Sequence, residues 1–161
     1  MTNTYIISDT HFKHANIIKY QNRPFDNVDE MDNIMFDNWN SVINYNDIVY
    51  FLGDLCMGNP SHWLENLNGT KVMIRGNHDK QLKNAHKYKI VEWNKEKLLL
   101  VHNPEFLPFN WNGWILHGHV HTNNLLKYPL INSEFKTINC SVEMLDYKPI
   151  ELNALLNKRK L

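Results

Sequence analysis

Short apolar runs that each stop at a polar or ionisable residue recur along the chain. Residues 5–8 form a β-prone run ending in Asp9, and residues 47–52 (DIVYFL) form one ending in Gly53-Asp54. Residues 71–74 run into Arg75-Gly76-Asn77-His78-Asp79, residues 98–101 into His102, and residues 114–116 into His117-Gly118-His119. Near-continuous apolar runs of this length suit strands covered on both faces. Between them the period changes. In residues 29–43, Met31, Ile34, Met35, Trp39, Val42 and Ile43 make one helical stripe. Further helices are predicted over residues 61–67, with Ser61 as N-cap and Gly69 beyond the end, over residues 80–86, and over residues 152–156 after Pro149. Residues 89–101 predict a hairpin turning at Asn94-Lys95. The alternation predicts an α/β fold, and the helical stripes are core packing without chemistry.

Composition changes this picture little. A chain of 161 residues without repeats or a Gly/Ser linker is expected to form one domain. Lys plus Arg and Asp plus Glu both number 17, so the formal net charge is zero. Proteins that hold long nucleic acid usually carry a basic surplus, so none is expected here. The basic run Lys158-Arg159-Lys160 reads as a solvated end. Two cysteines, Cys56 and Cys140, do not make a disulfide framework, and Cys56 reads as buried. The first five residues lack a basic segment followed by an apolar one, and no apolar run spans a bilayer; a cytoplasmic protein without membrane contact is expected.

The nine histidines matter more. In open α/β sheets, sites collect just outside the carboxyl ends of strands. Asp9, His11, Asp54, Asn77, His78, His102, His119 and His121 therefore converge on one rim. In extended chain, alternate residues share a side, so Asp9-x-His11 and His119-x-His121 each offer two ligands in one direction. Imidazole, carboxylate and carboxamide donors suit Mn, Fe, Zn, Ni or Co rather than a thiolate-seeking metal. The set is too large for one ion and about right for two, a recurrent solution for phosphoryl chemistry with ions about 3.5–4 Å apart. Asp54, alone at its strand end, is the natural bridge.

The series D9-x-H11, G53-D54, G76-N77-H78-D79, H102 and G118-H119-x-H121, in that order, resembles the calcineurin-like metallophosphoesterase superfamily. It extends over about three-quarters of the chain. The stretches S-D-T-H-F-K-H-A-N-I-I and N-R-P-F further resemble small bacterial and phage members. The resemblance implies two stacked mixed sheets flanked by helices, a four-layer αββα sandwich. It implies that Asp9, His11 and His121 hold one divalent ion and Asn77, His102 and His119 a second, with Asp54 shared; Mn is the first candidate metal. It also implies in-line attack by a hydroxide bridging the ions. His78 would act as general acid or orient the phosphate, and Asp79 would orient His78. One departure stands out: Gly53-Asp54-Leu55-Cys56-Met57-Gly58 lacks the second Asp and the Arg of the longer motif G-D-x-x-D-R-G. Phosphoprotein phosphatase activity is therefore not expected.

Around this set, Arg23 is a candidate phosphate clamp because its loop follows the first motif, and Arg75 is a second candidate contact. His14 either reaches the site or caps a helix. His117 reads as support or core, and His62 and His86 as surface residues on helices. The aromatic stretch from Phe106 to Trp114 either stacks on a nucleobase, packs under the sheet or meets another subunit; packing or a subunit contact is the preferred reading. The expected activity is hydrolysis of a small phosphodiester, such as a nucleotide or short oligonucleotide. The alternatives are a phosphomonoesterase and a non-catalytic metal-binding scaffold of the same fold. Oligomeric state stays open.

Overall fold

Ile6 and Ile7 are neighbours in the first strand and face opposite ways, yet both are buried. Such strands need cover on both faces. In the computed structural model, which describes residues 1–160, two mixed sheets and their helices supply it. The first sheet holds β1 (Thr4–Ile7), β2 (Ile48–Phe51), β3 (Thr70–Met73) and β9 (Ile150–Glu151), in the order β3-β2-β1-β9. β1, β2 and β3 run parallel, and β9 is antiparallel to β1. The second sheet holds β4 (Tyr88–Trp93), β5 (Glu96–Val101), β6 (Trp114–His117), β7 (Ile131–Asn132) and β8 (Thr137–Asn139), in the order β4-β5-β6-β8-β7. Its centre, β5-β6-β8, is parallel.

Helices α1 (Ala15–Tyr20), α2 (Val28–Val42), α3 (Ser61–Asn66) and α4 (Leu152–Asn157) all contribute to one large core. Met31, Met35 and Trp39 of α2, Trp63 of α3 and Leu155 of α4 join Ile6, Phe51, Leu98, Leu100 and Leu116 in it. The result is the α/β sandwich of the expected class. On the far face of the second sheet, Leu99, Val101 and Ile115 form a separate small core closed by Leu107 and Trp111. Trp111 thus packs under the sheet and Trp114 packs against the large core, while Phe106 and Phe109 are exposed.

The predicted hairpin forms with Trp93 paired to Glu96. Asn94 and Lys95 both take positive φ (50° and 68°), the twist a two-residue hairpin loop requires. α3 starts after Pro60, not Ser61, and Pro60 offers no capping side chain. Residues 80–86 form turns instead of the expected helix, for a clear reason. The His86 amide donates to the Met73 carbonyl (2.8 Å), and the Arg75 amide donates to the His86 carbonyl (2.7 Å). Those groups extend the edge of β3 and are lost to an i→i+4 ladder. The basic C-terminal run is also less solvated than expected. Arg159 pairs with Glu96 (2.9 Å) and lies 4.8 Å from the centre of the Trp114 ring. No helix of the described residues is long and apolar enough to cross a membrane.

Candidate metal centre

Parallel strands in both sheets end at the same rim. β1 leads to Asp9, β2 to Asp54, β3 to Asn77, β5 to His102 and β6 to His119. The loops after β1 and β2 are tied together by backbone bonds from Asp9 to Gly53, His11 to Asp54 and Phe12 to Leu55 (2.9, 3.0 and 2.9 Å). The two sheets meet here as well, where Val142 donates to the Ser8 carbonyl (3.0 Å); within the second sheet, Gly118 donates to the His102 carbonyl (3.0 Å) and ties the ends of β5 and β6 together.

Three groups of side chains come close enough to hold a metal ion: Asp9-His11-His121, Asp9-Asp54-His102 and His11-Asp54-His78, with the candidate ligand atoms of each group within 4.8 Å of one another. Asp9 Oδ1 lies 3.5 Å from His121 Nε2 and 3.8 Å from His11 Nε2. Asp54 Oδ2 lies 3.5 Å from His11 Nε2 and 3.4 Å from His102 Nε2. On the other side His119 Nδ1 faces His102 Nε2 (3.3 Å) and the Asn77 carboxamide (3.5 Å). Asp9 Oδ1 and both ring nitrogens of His11 are buried with no hydrogen-bond partner. Buried polar atoms are normally satisfied, so a set left open, all aimed inward, fits a cation.

Several rings are held from behind. His102 Nδ1 donates to the Leu52 carbonyl (2.7 Å), which turns Nε2 towards Asp54. His121 Nδ1 meets both oxygens of Glu143 at 3.0 Å. Burial alone would push the His102 imidazole down, but Asp54 and Asp9 outweigh it and raise the pKa to about 9. His121 is raised too, against burial, by Asp9 and Glu143. Asp9 is held far below the usual carboxylate range because His121, His11 and His102 outweigh its burial. The carboxylates that raise His102 and His121 are the same ones that would favour a bound cation.

The local backbone departs from the extended chain expected of D-x-H and H-x-H. Asp9, His11, Asp54, His119 and His121 all have positive φ, between 46° and 71°. This conformation is uncommon for residues other than glycine, and its concentration here places backbone strain at the site. The site is also packed closely around its glycines, and a Cβ on Gly53 would collide with His102 Nδ1. A Cβ on Gly76 would collide with Asp54 Oδ1, and one on Gly118 would collide with Ser8 Oγ and Asp9 Oδ2. The glycines of G76-N77-H78 and G118-H119-x-H121 therefore have a steric cause in this chain.

Two roles expected from the sequence are corrected. Arg23 is not turned towards a substrate; it is 4% exposed. Its Nη1 and Nη2 donate to the carbonyls of Thr10 and Asp9 (both 2.8 Å), and Nη2 also pairs with Glu143 (2.8 Å). Arg23 braces the first motif from behind. Asp79 does not orient His78. Its oxygens accept from the amides of Asp54 (2.7 Å), Leu55 (3.0 Å) and Gly76 (2.8 Å), so it fixes the loop that carries Asp54. His78 is exposed, with its amide on Asp54 Oδ1 (2.8 Å) and its ring centroid 5.3 Å from that of His11. His14 occupies the N-cap of α1 without a side-chain cap, and its ring stands 5.5 Å from His11 and 6.0 Å from His78. Arg75 is exposed beside Asn77, with one donor on the Leu82 carbonyl (2.8 Å). His117 is fully buried against Tyr128, and Cys56 is buried. His62 lies exposed in α3, and His86 is exposed on the edge of β3 rather than on a helix.

Sequence reasoning missed Glu143 and Ser141, whose hydroxyl lies 3.3 Å from Asp9 Oδ2. Both follow β8, a strand of three residues with no readable period. The available signal was a carboxylate just past a short apolar run, which is common in any chain.

A carboxylate–imidazole cluster at the carboxyl ends of strands from two mixed sheets makes a candidate metal centre. Residues 2–151 match the calcineurin-like phosphoesterase family, and the chain belongs to it. An uncharacterized protein of Methanocaldococcus jannaschii is 50% identical to it over 97% of this chain and 90% of that one. The gene 66 protein of Mycobacterium phage L5 is 34% identical over 49% of this chain and 41% of that one. Among solved structures, a protein of unknown function from Aquifex aeolicus superposes with a TM-score of 0.76 at 28% identity, covering 98% of this chain and 100% of that one.

Proposed function

We propose that the protein is a phosphodiesterase with two divalent ions, acting on a nucleotide-type or other small diester. The observation that carries the reading is the buried donor set of Asp9, His11 and His121, in which Asp9 Oδ1 and both His11 ring nitrogens have no partner, with Asp54, His102, His119 and Asn77 beside it. Asp9, His11 and His121 would hold one ion, Asn77, His102 and His119 the other, and Asp54 both. These donors suit Mn²⁺, Fe²⁺, Zn²⁺, Ni²⁺ or Co²⁺, and Mn²⁺ is the first choice for loading. When bound, such ions supply an activated water and neutralise charge developing on the phosphoryl oxygens. The chain's own part is positioning. Asp79 and Gly76 set the Asp54 loop, Glu143 sets His121, and the Leu52 carbonyl sets His102. His78, exposed and next to Asn77, donates a proton to the leaving oxygen, a step typically worth about 10²–10⁴ in rate.

The diester preference follows from charge. A monoester near neutral pH carries close to two negative charges and rewards fixed cations beside the ions. Arg23 is committed to Glu143 and to backbone carbonyls, and the second motif has no arginine. A diester carries one charge and leaves as an alkoxide, which needs the acid. The test compares bis(p-nitrophenyl) phosphate with p-nitrophenyl phosphate on Mn²⁺-loaded protein, before and after chelation. The diester should be the better substrate in kcat/KM, and chelation should remove both activities. A preference for the monoester removes the diesterase reading; full activity in the chelated protein removes the metal.

A further inference from the structure

Beside Asn77, His102 and His119 the rim opens into a cleft of about 450 Å³ that also takes in Arg75, Lys87 and Phe106. Its volume lies in the range of small-molecule sites. Its lining is uneven in a chain of zero net charge: two cations, one exposed aromatic ring and no carboxylate. Glu105, the nearest acid in sequence to Phe106, is turned to Lys127 (3.2 Å). Phe106 is 80% exposed, although the next residue, Leu107, packs into the small core on the far face of the second sheet. That anchor, with Trp111, holds the loop so that the Phe106 ring stays out of the core. What sets this ring apart from other exposed side chains is its place in the lining of the cleft beside the donors, where its flat face is open to a ligand.

We infer that this cleft is a nucleoside subsite: a base stacks on Phe106 while Arg75 and Lys87 meet an adjoining phosphate. The inference rests on the phosphodiesterase reading for the scissile group and extends it to the group beside it. It favours a nucleotide or the end of a short oligonucleotide over a simple alkyl diester. A flat π-face suits any base, so little discrimination among bases is expected. The cations act on a phosphate of the same ligand at close range. That contact belongs to a short ligand and does not need the extended basic surface that long nucleic acid demands.

The test uses two esters with the same leaving group, thymidine 5′-(p-nitrophenyl phosphate) and methyl p-nitrophenyl phosphate, with Mn²⁺-loaded protein. Stacking of one base is worth roughly 5- to 150-fold, and kcat/KM should favour the thymidine ester by that amount. Phe106→Ala should erase most of the preference while leaving the methyl ester within about twofold; Phe106→Trp should keep it. Arg75→Ala and Lys87→Ala should weaken a dinucleotide more than either chromogenic ester. Binding is read in parallel by calorimetry with thymidine 5′-monophosphate and methyl phosphate. Equal turnover of the two esters by the wild type, or an equal loss on both in Phe106→Ala, overturns the subsite. If neither ester is turned over, the phosphodiesterase reading fails, and the binding comparison decides the subsite. Tighter binding of the nucleotide that Phe106→Ala abolishes supports it, and equal binding of the two monoesters ends it.

Discussion

The two halves of the candidate metal centre are built differently. The half formed by Asp9, His11 and His121 is buried, with the three residues 0%, 3% and 6% exposed. It is braced from behind by Arg23, Glu143 and Ser141. The half formed by Asn77, His102 and His119 has only His102 fully buried; His119 is half-buried, Asn77 is exposed, and the rim opens on the cleft that holds Phe106. The contrast teaches which half is scaffold and which is entrance. Donors locked by outer hydrogen bonds lose little freedom on binding an ion, whereas exposed donors must be ordered. On the two-ion proposal, the buried half should hold its ion tightly, and the open half should exchange its ion and admit substrate.

The sharpest way to break the comparison is to weaken what both halves share. Asp54→Asn should abolish stoichiometric binding of both ions and reduce turnover by at least about 10⁴, the upper end of a general-acid effect. Elemental analysis after gel filtration, alongside the diester assay, checks this. Loss of only one ion would mean that Asp54 serves one half.

His78→Asn is expected to lower kcat by about 10²–10⁴ while both ions stay bound. The loss should be smaller for a p-nitrophenolate leaving group than for an alkoxide, because the former needs no proton. An equal loss on both would take the acid role away from His78 and leave it a phosphate-orienting one.

Glu143→Gln addresses the buried half alone. Removing the carboxylate that orients His121 should cost about 10–100-fold in affinity for the tighter ion, with the weaker ion little changed. Titration with a metal-sensitive dye resolves the two. Because Arg23 also pairs with Glu143, the variant should unfold at a lower temperature as well. An unchanged tight site would show that Glu143 braces the loop without tuning the ligand.

The smallest effect expected is one of pH on the metal-free protein. The folded-state pKa of His102 is raised to about 9 from its ordinary 6.5. Its contribution is therefore fully present below about 6.5 and is lost as pH rises towards 9. The Tm of chelated protein should fall by a few degrees between pH 6.5 and 9, while the Mn²⁺-loaded protein should not follow. A parallel fall in both forms would mean that the loss arises elsewhere.

A good part of this was legible in the residues. The apolar runs ending at Asp9, Asp54, Asn77, His102 and His119 carry both strand identity and chemistry, because a strand's carboxyl end fixes whatever follows it. The hairpin at Asn94-Lys95 and the stripe of α2 were equally readable, since both rest on local periodicity. Where backbone groups were captured from afar, local reading failed. Residues 80–86 have helical composition, but their amides and carbonyls complete the edge of β3. Strands of two or three residues, β7, β8 and β9, offer no period to read, and with β8 went Glu143 and Ser141.

The sequence by itself determined the kinds of donors, their order and the strand ends that carry them. Only the tertiary structure decided which way the supporting residues turn. Arg23 and Asp79 are polar residues in or beside the motifs, and from sequence both read as facing the chemistry. Asp79 instead closes on three backbone amides, and Arg23 closes on two carbonyls and a carboxylate that arrives from residue 143. The reason is the cost of leaving buried donors and acceptors unpaired: a loop whose ligand residues hold positive φ must have its amides and carbonyls satisfied by side chains, and those partners are fixed by proximity in space rather than by position in the chain.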